Sequence, residues 1–145
     1  MHRFKLEPLL RHRRHQEEIC QKELAESERL VADEKDKLRR LKKEKRIKVQ
    51  NLQANQKENI DVSLLSLSMN YIRQLSKQIE EQKKCVREAS KKLNQKRSEL
   101  IIIVKKRKTL EKIKEKSRLT YQRQMMQNER KFMDEVASTR QARNM

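Results

Sequence analysis

Residues 65–100 read LSLSMNYIRQLSKQIEEQKKCVREASKKLNQKRSEL, and within them Leu65, Ile72, Ile79, Val86, Leu93 and Leu100 recur every seven residues without a miss. Leu75, Ala89, Ile103 and Leu110 occupy the companion position three residues on. Apolar residues at these two heptad positions place one narrow greasy stripe along an α-helix, which is the seam of a coiled coil. Upstream the same pattern returns less cleanly. Leu10, Leu24, Val31, Leu38 and Leu52 share one heptad position, and Cys20 and Leu41 share the other. Glu17, Ser27, Glu34, Lys45 and Lys48 interrupt this first stripe, so the first seam is expected to be the looser one.

Between the stripes, from Ala54 to Ser63, apolar periodicity pauses and Asn55, Asn59, Asp61 and Ser63 cluster. Asp61 or Ser63 is suited to cap a following helix, because a short oxygen-bearing side chain accepts from its unpaired first N–H groups. One turn between two long helices predicts an all-α antiparallel two-helix coiled-coil hairpin. The expected layout is a single domain over residues 1–145, with helices over about 6–54 and 63–140 and a turn over about 55–62. Pro8 falls early enough to sit in the first turn of its helix, where its missing N–H has no intrahelical partner.

Folding the chain about that turn with Leu52 against Leu65 makes facing residue numbers sum to about 117. Leu38 then faces Ile79, Val31 faces Val86, Leu24 faces Leu93 and Leu10 faces Arg107. Each arm is expected to span roughly 80 Å at about 1.5 Å per residue. Cys20 comes to the neighbourhood of Arg97 and Cys85 to that of Ala32, too far out of register for a bridge. Residues beyond about Lys116 have nothing to pair against.

Composition narrows the function classes. The chain has 145 residues, 41% charged and 34% hydrophobic, with two Tyr, two Phe, one Pro and no Gly. Phosphate-cradling loops and dinucleotide fingerprints both need glycine for positive φ or close backbone approach, so both are excluded. Neither lone cysteine has the spacing of a zinc or redox pair. His12 and His15 share a helix face but lack a third ligand and are crowded by arginines. No catalytic residue, metal or cofactor is expected. No secretory signal core and no apolar run near the roughly 20 residues of a membrane span is visible, which points to a cytoplasmic protein.

The unpaired C-terminal stretch carries its own helical stripe, Tyr121, Met125, Phe132 and Val136, flanked by Met126 and Met133. An amphipathic helix with adaptable methionines and no partner in its chain is a candidate docking surface, with homodimerisation or a frayed, disordered tail as the alternative. The net charge of +18 requires anionic partners to be weighed. The runs Arg39–Lys48 and Lys105–Lys108 lack interleaved aromatics, which disfavours nucleic acid, although non-specific binding to it stays as an alternative. A purely structural coiled-coil dimer is the other.

Three stretches carry a family resemblance. They are Phe4-Lys-Leu-Glu-Pro-Leu-Leu10-Arg-His-Arg with Glu17-Glu18 and Lys22-Glu23-Leu24-Ala25, then Tyr71-Ile-Arg-Gln-Leu75-Ser-Lys-Gln-Ile79-Glu-Glu-Gln82, and last Arg130-Lys131-Phe132-Met133-Asp134-Glu135-Val136-Ala137. Together they resemble the flagellar FliJ family across essentially the whole chain. The resemblance implies a stalk-like component of the flagellar type III protein export apparatus, cytoplasmic and peripheral to the inner face of the cell membrane. It implies docking in the ring of the hexameric export ATPase FliI, promotion of ring assembly, contact with the cytoplasmic domain of the export gate FlhA, and a link to export chaperones. No small-molecule substrate is implied. At the ATPase end, Phe4, Leu6, Leu9, Tyr121, Met125, Phe132, Met133 and Val136 are expected to supply apolar contacts. Arg11, Arg13, Arg14, Lys105, Lys106 and Arg107 are expected to steer association. Tyr71, Leu75, Gln78 and Gln82 are implied on the gate-facing surface.

Overall fold

A computed structural model describes residues 2–55 and 61–144. Two α-helices account for nearly all of them, α1 (Glu7–Asn55) and α2 (Val62–Asn144), and no strand is present among the described residues. They pack against each other as an antiparallel two-helix coiled-coil hairpin, the architecture expected from the heptads.

Local chemistry explains where each helix starts. Glu7 N–H donates to the Phe4 carbonyl at 3.1 Å and Leu10 N–H to the Leu6 carbonyl at 2.9 Å. Pro8 lies between them in the first turn, where it removes a donor that the helix cannot satisfy. At α2 the cap is Asp61, whose carboxylate accepts from Ser63 N–H at 3.1 Å while its carbonyl accepts from Leu65 N–H at 3.1 Å. Ser63, the other capping candidate, is inside the helix. Asn55 still belongs to α1, and the expected turn residue Asn59 lies outside the described residues.

The chain divides into two units, a terminal unit of Met1–Ile19 with Ile101–Met145 and a middle unit of Cys20–Leu100. In the middle unit the buried side chains are Cys20, Val31, Leu75, Ile79 and Leu93, every one a heptad position. Leu24, Leu38, Leu41, Leu52, Leu65, Ile72, Val86, Ala89 and Leu100 are half-buried around them. Cross-helix contacts fix the direction and register. Tyr71 meets Glu44, Gln82 meets Glu34, and Cys20 Sγ approaches the Lys96 carbonyl at 3.9 Å. The last pair falls one residue from the expected Cys20–Arg97 juxtaposition. Cys85 is exposed and both thiols are free.

In the terminal unit the core is Leu10, with no exposed surface at all, and Leu110. Antiparallel pairing is carried by Lys114 on Glu7 at 2.8 Å, Arg14 on Glu111 at 3.6 Å and Ser117 on His2 at 3.2 Å. The His2 and Tyr121 rings lie 5.2 Å apart. Pairing therefore runs slightly past Lys116, and the overhang begins after Tyr121. Arg107 departs from the expected position opposite Leu10. Its guanidinium is bound by Glu17 and by both carboxylate oxygens of Glu111 at 2.9 Å. A guanidinium on a greasy seam needs acceptors, and its long stem lets it reach along the seam to find them.

Burying a leucine-sized side chain is worth about 1.5–3 kcal/mol. Isolated helices are only marginal in water, so the two stripes against each other, rather than propensity, hold these helices.

Candidate functional site

The ATPase-docking residues expected from the sequence all belong to the terminal unit, and the gate-facing ones all belong to the middle unit. Within the terminal unit, Leu6 just ahead of α1 and Leu9 in its first turn are exposed, while Phe4 is half-buried upstream of them. A shallow groove has Leu9 and Leu110 as its apolar floor and Arg13, Lys105, Lys106 and Thr109 around it. Arg13 is held by Gln16 at 3.0 Å. Among the described residues Arg11, Lys105 and Lys106 touch no carboxylate, so their charge is directed outward. Arg14 shares Glu111, and Arg107 is spent inside the seam. The hydrogen bonds that Arg107 donates to Glu111 and Glu17 raise its pKa above the ordinary arginine value and keep the group charged.

Beyond Tyr121, α2 continues for more than twenty residues with every side chain exposed except half-buried Val136. Phe132 is 65% exposed and Met133 67%. Met125 and Met126 are open on neighbouring faces, and Met126 and Met133 flank a depression edged by Glu129, Arg130 and Asp134. Methionine stems and a phenylalanine ring present adaptable apolar surface at helical spacing, suited to packing against a partner's apolar side chains. Tyr121 is half-buried against His2 at the root of this stretch.

In the middle unit Tyr71 is exposed on α2. Its hydroxyl donates to the Glu44 carboxylate, and Lys48 Nζ stands 5.3 Å from its ring centroid. The bond to Glu44 raises the Tyr71 pKa above the ordinary phenol value and keeps it a donor. Gln78 is exposed. Leu75 lies in the seam, and Gln82 turns inward to donate to the Glu34 carbonyl at 2.9 Å and to its carboxylate. The structure thus leaves Tyr71 and Gln78 at the surface and holds Leu75 and Gln82 in the packing beneath.

Two features escaped the sequence pattern. Glu17 and Glu34, read as breaks in the first seam, are instead the acceptors for Arg107 and Gln82. Lys96 likewise binds Glu23 at 2.7 Å and Glu99 at 3.2 Å, and these bonds raise its pKa. The first turns of α2 also expose Val62, Leu64 and Leu67, whose signal was apolar residues out of heptad phase. Among the described residues no group of three or more His, Cys, Asp or Glu side chains is placed to hold a metal ion, and no helix is long and apolar enough to cross a membrane.

A comparison with protein families matches residues 1–145 to the family described as flagellar FliJ protein. Neither the curated proteins nor the solved structures give a match.

Proposed function

We infer the function from one premise: the chain belongs to the flagellar FliJ family, a family of flagellar export components. Within that apparatus the chain acts through binding surfaces. Its terminal unit docks in the ring of the hexameric export ATPase FliI and promotes ring assembly. Its middle unit meets the cytoplasmic domain of the export gate FlhA, and the chain links the apparatus to export chaperones, at the inner face of the cell membrane.

The observation that carries the docking role is the apolar face left open past Tyr121, where Met125, Phe132 and Met133 are exposed with Val136 beside them. Phe4, Leu6 and Leu9 add apolar area on the same unit. Arg11, Arg13, Lys105 and Lys106 set its positive field, with Arg14 adding in part, and this raises the rate of encounter with an acidic surface more than it raises affinity; Arg107, expected to steer as well, is paired with Glu17 and Glu111 in the seam and adds none. At the gate, Tyr71 and Gln78 make the contact, with Leu75 and Gln82 fixing their backbone from within the seam.

The test is capture of purified export ATPase by the full chain, by a chain ending at Gln122, and by a Phe132→Asp, Val136→Asp variant. The truncation keeps the His2–Tyr121 contact intact. Capture is expected to be lost with both alterations and to persist at moderate salt in the full chain. Equal capture by all three removes the overhang from the mechanism. Non-specific nucleic-acid binding, the alternative raised by the +18 charge, is distinguished by its steep collapse with salt.

A further inference from the structure

The middle unit holds a groove whose chemistry runs against that of the chain as a whole. Ser27 and Ala89 are seam positions filled by small side chains, and with Leu30 they line a shallow depression of about 240 Å³ bordered by Glu34, Glu88 and Lys92. Leu30 is 50% exposed there. Glu26, Leu30 and Asp33 recur at i, i+4 and i+7, so two more carboxylates lie along the face of α1 that carries this leucine. Glu34 is shared by Lys37 and Gln82, whereas Glu26, Asp33 and Glu88 meet no cation among the described residues. From Cys20 to Asp36, α1 carries six acids and three cations, in a chain with 39 Lys and Arg against 21 Asp and Glu. An open leucine thus lies among uncompensated negative charges.

The overhang of the terminal unit has the complementary pattern. Arg123, Met126, Arg130 and Met133 recur at i, i+3, i+7 and i+10, which puts two cations and two methionines on one face of α2. Met126 is 65% exposed and Met133 67%. Glu129 and Asp134 edge the depression between these methionines, yet Arg123 and Arg130 meet no carboxylate among the described residues. Met125, Phe132 and Val136 recur at i, i+7 and i+11 on the other flank of the helix. Of the overhang residues assigned to ATPase docking, Met133 alone belongs to the arginine-bearing face.

We propose that the overhang of one copy of this chain seats in the middle-unit groove of a second copy, methionines against Leu30 and the small pair Ser27 and Ala89, arginines against Glu26, Asp33 and Glu88. Methionine suits such a site, because its flexible thioether fills a shallow, irregular depression. Glu129 and Asp134 then stand ready for Lys92. The net charge of +18 on each copy opposes approach from afar. At physiological salt, however, charges more than about 8 Å apart are largely screened, so the groups in contact decide. Laying the overhang face against its own copy would set arginine against arginine, which disfavours a symmetric pair of overhangs. The contact joins two different surfaces and is therefore heterologous, leaving a free groove to which a further copy adds unless the assembly closes. The inference goes beyond the docking function, since neither ATPase nor gate takes part in it.

Sedimentation equilibrium of the purified full chain tests it. The average mass is expected to rise with concentration above the 17.7 kDa of one chain, and to stay at the single-chain value for a chain ending at Gln122. Met126→Gln should weaken association at least about tenfold, because one of the two buried methionines is lost. Arg123→Glu with Arg130→Glu, and separately Glu26→Lys with Asp33→Lys, should each abolish it, with helicity confirmed by circular dichroism. Mixing these two charge variants should restore association, because the intact overhang of one meets the intact groove of the other. Capture of export ATPase by the Glu26→Lys, Asp33→Lys variant should match that of the wild type, which separates self-association from docking. A single-chain mass up to the highest soluble concentration, undiminished association of the truncated chain, or no association on mixing each overturns the proposal.

Discussion

Helix α2 keeps apolar residues at helical spacing on both sides of Tyr121, yet the two sides fare differently within the terminal unit. Before Tyr121, Leu110 is buried and Ile103 half-buried against α1, and polar seam positions such as Arg107 and Lys114 are answered by Glu17 and Glu7. After it, Phe132 and Met133 stand open. The same kind of stripe stabilises the fold where a facing helix exists and is free to recognise a partner where none does. Burial, rather than hydrophobicity, decides which task an apolar side chain serves.

The sharpest way to break this contrast is to truncate one side chain on each side. Leu10→Ala removes a side chain with no exposed surface and should cost about 2–5 kcal/mol in denaturant unfolding. Phe132→Ala should stay within about 0.5 kcal/mol, as surface substitutions do. Similar costs at the two positions would show that the overhang is packed.

The polar seam positions sharpen the comparison further. Arg107→Ala strands half-buried Glu17 and should cost about 1–3 kcal/mol. Arg107→Met combined with Glu17→Leu should recover most of that loss, because an apolar pair leaves nothing unsatisfied. Non-recovery in equilibrium unfolding would mean that the ion pair contributes more than its own satisfaction. In the middle unit, Asp61→Ala deletes the α2 cap and should lower stability by about 1 kcal/mol.

The smallest effect is one of pH. The hydrogen bond from Lys114 holds the Glu7 pKa below its ordinary value of 4.5. Its contribution is present above that value and fades as pH falls through the lower folded one. Glu7→Gln should therefore remove a small contribution at neutral pH, leave stability in strong acid unchanged and so make the acid limb shallower, the effect kept small by the solvent that reaches this half-exposed pair. An unaltered acid limb would show that Glu7 and Lys114 do not pair in solution.

Much of this was legible from residue spacing. Among the described residues each buried side chain, from Leu10 and Cys20 to Leu93 and Leu110, falls on a heptad position visible in the sequence, because burial in a two-helix seam follows period. The overhang was legible for the same reason, its root displaced only to Tyr121. Glu17 and Glu34 were not, because a charged residue on a seam looks like a defect until the residue reaching it from the other helix is known. That depends on side-chain length and lean as well as on register. Gln82 and Leu75 illustrate a related limit. Their place in a family pattern says nothing of whether they face a partner or the seam, and here both lie in the seam.

Amide hydrogen exchange on the full chain, alone and with the hexameric export ATPase added, tests the central claim most directly. Residues 122–144 should exchange quickly in the free chain, as an unsupported helix does, and slow markedly in the complex, while 101–121 stay protected in both. Slow exchange in the overhang before any partner is added, or no slowing there on binding, would contradict the assignment of that helix to docking.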